Sequence, residues 1–214
     1  MTTTPRDTAP VVGRPHGRTL PSGVAIPRAY PREAREAAFL LGGIGTGNVS
    51  VGSRGELRDW ELFNWPGKGN RLPFSFFAIR AQPPGGRPVV RVLESRLNGP
   101  HALSHGYFNG DLAGLPRFTE SSIRAQYPFV TVDLSEPGLP LHVTLEAFTP
   151  FVPGDAEASG IPVAVLRYDV TNLSAADLDV SVVGSLANAN GYAGEDVFGN
   201  QKLSGEVSNE PRET

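Results

Sequence analysis

The 214-residue sequence contains no cysteine, so disulfide bonds, thiolate metal ligands and cysteine nucleophiles are excluded. It also has only two lysines, one methionine and two tryptophans. No apolar run approaches the roughly 18 residues of a membrane-spanning helix, and the first residues lack the apolar core of a signal peptide. The sequence therefore predicts no transmembrane segment and a cytoplasmic location.

Positive charge is not in excess either, because the formal net charge is −3. Proteins that bind the nucleic-acid backbone need such an excess to neutralise phosphates, so we expect no nucleic-acid partner. Glycine and proline are abundant instead, with 25 and 20 residues. Since helix interiors tolerate neither residue well, this composition argues against a helical bundle and favours a fold with many turns.

The chain divides into three segments by composition. Residues 1–23 are mostly Thr, Pro, Gly and Arg, which predicts a disordered leader. Residues 24–200 form one predicted domain, and residues 201–214 form an irregular, truncated tail because no closing strand follows. One short N-terminal helix is predicted at 31–38, where Pro31 suits the first helical position.

Period-2 alternation dominates the domain and predicts half-buried strands. Val130, Val132 and Leu134, for example, alternate with Thr131 and Asp133. Such strands are predicted at 47–52, 55–63, 73–80, 88–94, 123–127, 130–134, 141–145, 161–171 and 178–186. A polar turn in the stretch 166–186 predicts a hairpin. Nine or ten strands without intervening helices predict an all-β fold, an antiparallel β-sandwich that is incomplete.

A glycine-rich run, formed by Gly42, Gly43, Gly45 and Gly47, invites a nucleotide-binding interpretation. Its spacing does not match GxGxxG, and a predicted strand follows it. A phosphate loop must instead open a helix whose N-terminus holds the anion. We therefore expect these glycines to serve tight turns or close backbone approach.

Two carboxylates, Asp59 and Glu61, lie on one face of a predicted strand. Retaining glycosidases need two carboxyl groups about 5 Å apart. Residues of the same strand point the same way, however, so this pair would not flank a sugar from opposite sides. Hydrogen bonding with Arg54 or Arg58 is the favoured interpretation. A second acidic pair, at 195–196, is interpreted as a solvated turn.

The histidines give little support for a metal site. His101 and His105 have the four-residue spacing with which a helix holds a metal ion. Gly99, Pro100 and Gly106 argue against a helix there, and no third ligand is evident. We therefore expect no metal and no other cofactor.

Several neighbouring segments form a recognisable pattern: Val24–Tyr30, Leu41–Gly52 (LGGIGTGNVSVG), Arg54–Asn64 (RGELRDWELFN), Pro66–Asn70 and Leu72–Ile79 (LPFSFFAI). They resemble the N-terminal region of glycoside hydrolase family 116. This is the family of bacterial β-glucosidases and of the non-lysosomal glucosylceramidase, also called bile-acid β-glucosidase. The resemblance spans about residues 24–200 and implies a β-sandwich, in agreement with the strand pattern.

The resemblance also implies partners. In that family a following (α/α)6 barrel carries a Glu nucleophile and an Asp acid/base that cleave β-glycosides with retention. The present sequence ends before any barrel, so no catalytic residue is carried over. A helical catalytic domain on the same chain and the β-glucoside of the intact enzyme are the expected partners.

Two sets of residues follow as site candidates. Trp60, Asn64 and Trp65 are candidates for contact with the substrate or with the catalytic domain. Structural roles are expected for the motif residues Gly42, Gly43, Gly45, Gly47, Arg54, Gly55, Asp59 and Glu61.

Three functions stay open on the sequence. The first is a non-catalytic sandwich within a β-glucosidase or glucosylceramidase-like hydrolase. The second is a free-standing carbohydrate-binding or interaction module, because the aromatic residues at 60–77 could stack on sugars or fill a core. The third is an enzyme that uses Asp59 and Glu61. A truncated sandwich would leave unpaired edges, so we expect the isolated chain to be a poor soluble monomer.

Overall fold

The computed structural model describes residues 27–62, 64, 66–97, 99, 107, 109–188, 192–195 and 201–203. Strands dominate this part of the chain. They are β1 (Tyr30–Pro31), β2 (Ala38–Leu41), β3 (Asn48–Gly52), β4 (Leu57–Glu61), β5 (Phe76–Gln82), β6 (Val89–Ser95), β7 (Arg117–Phe118), β8 (Glu120–Gln126), β9 (Phe129–Ser135), β10 (Leu141–Phe148), β11 (Val165–Asn172), β12 (Asp179–Ser185), β13 (Tyr192–Glu195) and β14 (Gln201–Leu203). A 3₁₀ turn spans Asn109–Asp111, and a short helix, α1, spans Ala156–Ser159.

Two main sheets form the fold. One has the strand order β1-β8-β9-β10-β11, and the other has the order β12-β5-β6-β7. A three-stranded sheet, β2-β3-β4, and the hairpin β13-β14 complete the described part. All strand pairs are antiparallel except β6 with β7. The prediction of an all-β, antiparallel sandwich is confirmed.

One hydrophobic core is shared by the two main sheets and the three-stranded sheet. The alternating apolar residues of β9 and β10 face it, since Val132, Leu134, Val143 and Leu145 are fully buried. The facing sheet contributes Ile79, Ala81 and Leu93, and the three-stranded sheet contributes Leu41 and Val51. Period-2 alternation therefore places one face of β9 and one face of β10 in this interior.

An ion pair also joins the two main sheets. The Arg91 guanidinium, on β6, donates to both carboxylate oxygens of Glu136, just after β9, at 2.8 and 2.7 Å. This two-bond geometry is the strong form of an arginine–carboxylate contact. The hydrogen bond from Arg91 lowers the pKa of Glu136 below its ordinary value.

The prediction of a helix at 31–38 is wrong. Tyr30 and Pro31 form β1 and pair with Ile123 and Ser122 of β8, while Ala38 begins β2. Between these strands the backbone makes turns, including Ala34 N to Pro31 O at 3.0 Å. A short segment cannot sustain a helix by itself, so strand pairing at both ends decided its conformation. The helix that does form, α1, begins where Asp155 accepts a hydrogen bond from Ala158 N.

The prediction of a hairpin at 166–186 is also wrong. Its polar turn exists, because the Asn172 carboxamide accepts from Ser174 N at 2.9 Å and donates to Ala176 O at 2.7 Å. The strands on either side belong to different sheets, however: β11 pairs with β10, and β12 pairs with β5. A turn sequence fixes where the chain bends, but burial across the core selects the partner strands.

The ends of the chain bear on the predicted boundaries. The leader at 1–23 lies outside the described residues, as do 204–214. Residues 201–203 were predicted to be irregular but form β14 opposite β13. The short strands β1, β2, β7, β13 and β14 were missed because they offer too few residues for a periodic pattern. None of the described helices has the length and apolar character needed to cross a membrane.

Candidate functional site

The glycine-rich run lies in the loop between β2 and β3, so strands flank it on both sides. Gly42, Gly45 and Gly47 have φ values of 132°, 75° and 88°, which favour glycine. The loop is fixed from outside, because Gly42 N donates to Thr149 Oγ1 at 2.7 Å and Ile44 N donates to Ser159 O at 2.9 Å. This is a turn geometry and not a phosphate loop.

The sequence Arg54-Gly-Glu occupies the tip of the β3–β4 hairpin. This tip is bonded to both main sheets: Ser95 N of β6 donates to Arg54 O, and Ser121 Oγ of β8 donates to Ser53 O, both at 2.8 Å. Gly55 has a φ of 87°, and a Cβ atom there would lie 3.2 Å from the Leu93 carbonyl oxygen. The tip therefore needs glycine for conformation and for space.

The side chain of Arg54 is the centre of a buried charge network. Its guanidinium lies 3.3 Å from Glu94 Oε2, 3.1 Å from the Ser95 carbonyl oxygen and 3.5 Å from Glu56 Oε1. Arg117 also contacts Glu94, at 3.3 Å. Burial alone would lower the pKa of Arg54, but Glu56 and Glu94 raise it above its ordinary value. Burial raises the pKa of Glu56 despite the neighbouring Arg54.

Asp59 departs from regular strand geometry. Its φ is 53°, and the register of β3 and β4 shifts between the pairs Asn48–Glu61 and Ser50–Arg58. Two residues of β4 thus oppose one residue of β3, which is a β-bulge. The bulge breaks the alternation on which the expected common face of Asp59 and Glu61 rests. Asp59 is buried, whereas Glu61 is half-buried.

Both carboxylates hold the β4–β5 loop. Asp59 Oδ1 accepts from Gly69 N at 2.7 Å, and Glu61 Oε1 accepts from Gly67 N at 3.2 Å. Glu61 Oε2 also accepts from Asn48 Nδ2 at 2.8 Å and lies 3.2 Å from Lys68 Nζ.

These contacts set the charge of both groups. The hydrogen bond from Asn48, with those from Gly67 and Lys68, lowers the pKa of Glu61. Burial works against ionisation of Asp59, yet Gly69 N and Arg58 bring its pKa below the ordinary value. Both carboxylates are therefore ionised acceptors. Arg58, one of the two predicted partners, lies 3.4 Å from Asp59, whereas Arg54 bonds elsewhere.

The three candidates for substrate or interdomain contact lie in or beside this loop. Trp60 is half-buried, and its Nε1 is buried without a hydrogen-bond partner among the described residues. Asn64 is exposed and has a φ of 61°. Trp65 lies outside the described residues. The structure thus leaves one indole donor beside the loop without an acceptor.

A cleft of about 350 Å³ lies beside the hairpin tip. Its charged lining residues are Arg35, Glu36, Arg54, Glu56, Arg58, Arg71 and Asp111. Arg71 pairs with Asp111, and Arg58 pairs with Asp59, so the opposite charges largely neutralise one another. Sequence reasoning missed this cleft because Arg71 and Asp111 come from segments far apart, and no local spacing marks them.

The predicted histidine pair, His101 and His105, lies outside the described residues. Within the described ranges, no group of three or more His, Asp or Glu side chains could hold a metal ion. His142 lies on β10, where its Nε2 is 3.3 Å from Thr144 Oγ1 and 3.7 Å from Asp133 Oδ1.

Replacing Asp133 with asparagine is expected to make the free energy of unfolding less dependent on pH in the acidic range. Asp133 accepts from Thr144 at 3.1 Å and Arg124 at 2.8 Å, and its contacts, with His142 first, lower its pKa. A carboxyl whose pKa is depressed by folding stabilises the fold above its unfolded value, about 3.9, and loses that contribution as the pH falls through the folded value. The variant should lose about 0.5–1 kcal/mol at neutral pH.

Thermal unfolding measured between neutral pH and pH 3 tests this. The difference between wild type and Asp133→Asn should shrink below pH 4. Asp177→Asn, in the exposed β11–β12 turn, is the matched control. The prediction would be contradicted by melting temperatures that fall equally for Asp133→Asn and for wild type as the pH is lowered.

A family model described as "beta-glucosidase 2, glycosyl-hydrolase family 116 N-term" matches residues 38–214. The match begins at β2 and covers the glycine loop, the hairpin tip and every strand of the two main sheets except β1. Since it covers most of the chain, the chain belongs to the family of N-terminal domains of glycosyl-hydrolase family 116.

Proposed function

We propose that this chain is the non-catalytic N-terminal sandwich of a cytoplasmic retaining β-glucosidase or glucosylceramidase-like hydrolase, and that it packs on a helical catalytic domain. The observation that carries the proposal is the role of Asp59 and Glu61. Each holds a backbone N–H of the β4–β5 loop. A glycosidase needs one carboxyl group whose pKa is raised so that it can act as an acid, and here both are lowered.

The remaining buried carboxylates support the same conclusion. Glu94 is engaged by Arg54 and Arg117, and Asp111 is engaged by Arg71. Glu56 has a raised pKa, but it accepts from Arg54 N at 2.9 Å and lies against Gly52 at the foot of the hairpin tip. These groups stabilise the fold and present no pair of free carboxyls to a sugar.

The purified chain is therefore expected not to hydrolyse aryl β-glucosides above background. The measurement is release of the chromophore at high protein concentration, with Asp59→Asn and Glu61→Gln as matched variants. Turnover that is lost in either variant would contradict the proposal and support an enzyme built on these two residues.

The proposed association with a catalytic domain can be tested by sequencing the gene beyond the codon for residue 214. Translation of the DNA after codon 214 is expected to give a helical domain on the same chain. A gene that encodes no such domain there would contradict this half of the proposal.

One observation favours the carbohydrate-binding alternative. Tyr127 and Phe151 are 58% and 38% exposed, with ring centroids 5.0 Å apart, and Phe39 lies beside them. Exposed aromatic faces are the surfaces on which sugars stack. Retardation of the chain in polysaccharide gels, abolished by Tyr127→Ala, would favour a binding module.

A further inference from the structure

The turn between β8 and β9 lies in a small apolar surface at one end of the core. The Tyr127 ring in this turn lies 5.0 Å from the Phe151 ring and 6.1 Å from the Phe39 ring, between centroids. Val152 follows Phe151 in the chain and is 47% exposed. These four side chains form the aromatic patch. Within the part of the chain that the structure describes, the patch is only partly covered.

The loops that form the aromatic patch are free of charged residues. Residues 125–132 and 147–154 contain no Asp, Glu, Lys or Arg. Residues 19–27 (TLPSGVAIP) are uncharged as well and include Val24 and Ile26. An apolar, uncharged segment can leave water for such a surface at little cost, whereas a charged segment would give up the hydration of its charge. The sequence just before the described residues therefore has the chemistry that this patch accepts.

The direction of β1 brings that segment to the aromatic patch. β1 is antiparallel to β8, with Tyr30 opposite Ile123, so the chain before Tyr30 comes from the end of β8 that leads to Tyr127. Four residues back from Tyr30 and four residues on from Ile123, this register sets Ile26 opposite Tyr127. Residues 27–29 lie outside β1, so the contact is one between side chains and needs no further strand pairing.

Alternation decides on which side Ile26 lies. Tyr30 is opposite Ile123, which faces the core, and opposite residues of an antiparallel pair point to the same face. The Arg28 guanidinium lies 5.4 Å from the centre of the Tyr30 ring, so Arg28 shares this face. Two residues further back, Ile26 shares it as well, and the same rule carries the face of Ile123 to Tyr127.

We propose that residues 24–26 pack on the aromatic patch, with the Ile26 side chain against the ring of Tyr127. Phe39, which is only partly buried at this end of the core, is then covered from the side of β8. The patch is an internal docking surface for the start of the domain, and sugars do not stack on it. This inference goes beyond the proposed function and does not depend on it.

A double-mutant cycle between Ile26 and Tyr127 in the full chain tests the proposal, by urea unfolding followed with circular dichroism. Ile26→Ala should raise the unfolding equilibrium constant about five- to tenfold, because it removes apolar carbon that is half covered by the patch. In the Tyr127→Ala background the same change should raise it no more than about twofold, because the partner ring is gone. Val12→Ala, an apolar truncation outside the segment, is the matched control and should leave the constant unchanged.

Equal factors for Ile26→Ala in wild type and in Tyr127→Ala would overturn the proposal, because the two side chains would then not be coupled. A second measurement serves if the double variant does not fold. Ile26→Asp should expose the patch and increase the fluorescence of a dye that binds apolar surfaces, whereas Val12→Asp should not. Equal dye signals for these two variants would overturn the proposal. Retardation of wild type in polysaccharide gels that depends on Tyr127 would overturn it too, because a sugar would then occupy the patch.

Discussion

Replacing Arg54 with methionine is expected to lower the free energy of unfolding by about 3–5 kcal/mol, because it breaks a buried ion pair from one side only. Arg54 and Glu94 are each 8% exposed, so the carboxylate left behind would be buried with Arg117 as its remaining cationic partner. The loss also removes the hydrogen bond to the Ser95 carbonyl oxygen. The measurement is urea unfolding followed by circular dichroism.

Two further variants separate charge from geometry. Arg54→Lys keeps the charge but not the planar guanidinium, so its loss should be intermediate. The double variant Arg54→Met/Glu94→Gln should lose less than the sum of its parts, because the unpaired buried charge is gone. Arg167→Met, at an exposed ion pair, is the control and should behave like wild type. If Arg54→Met lowered the free energy of unfolding no more than this control does, the buried charge network would not stabilise the fold as predicted.

Replacing Gly43 with alanine is expected to destabilise the fold by about 1–3 kcal/mol, by overpacking a backbone contact. A Cβ atom on Gly43 would lie 2.4 Å from the Ile161 carbonyl oxygen and 2.8 Å from that of Gly160. Both are backbone atoms after α1, so relief requires the loop or the helix end to move. Thermal and urea unfolding measure the loss.

Gly45→Ala is the matched comparison within the same loop. Gly45 has a φ of 75° and no neighbouring atom within 4 Å of a built Cβ, so only its conformation resists a side chain. Its expected cost is about 1 kcal/mol. If Gly45→Ala destabilised the protein as much as Gly43→Ala, the close approach to Ile161 would not be what requires glycine at 43.

The long strands could be predicted from the sequence because their side chains report burial directly. β9 and β10 alternate between apolar core residues and polar outer residues over seven and eight positions. The segment 31–38 carries helix-favouring residues, but its ends are captured by β8 and β3. Local propensity is a weak preference, and pairing with distant strands overrode it.

The chemistry of the site was harder to predict for the same reason. The bulge at Asp59 leaves no trace in the apolar pattern, so the two carboxylates looked like neighbours on one face. The partners of Arg54 include Glu94, which is 40 residues away in the chain. Contacts of this kind are set by how the hairpin tip meets β6 and β8, and no spacing rule covers them.

The strand order has a consequence for synthesis of the chain on the ribosome. β8, β9, β10 and β11 pair with their sequence neighbours, so each can add to the last as it emerges. β12 instead returns to β5, joining Asp179 to Gln82. At roughly 5–20 residues per second, the outer edge of β5 waits about 5–20 seconds for its partner. Until β12 pairs, the outer edge of β5, which carries Phe77, Ile79 and Ala81, has no partner strand. During this interval we expect the edge to be accessible to chaperones that bind apolar strands.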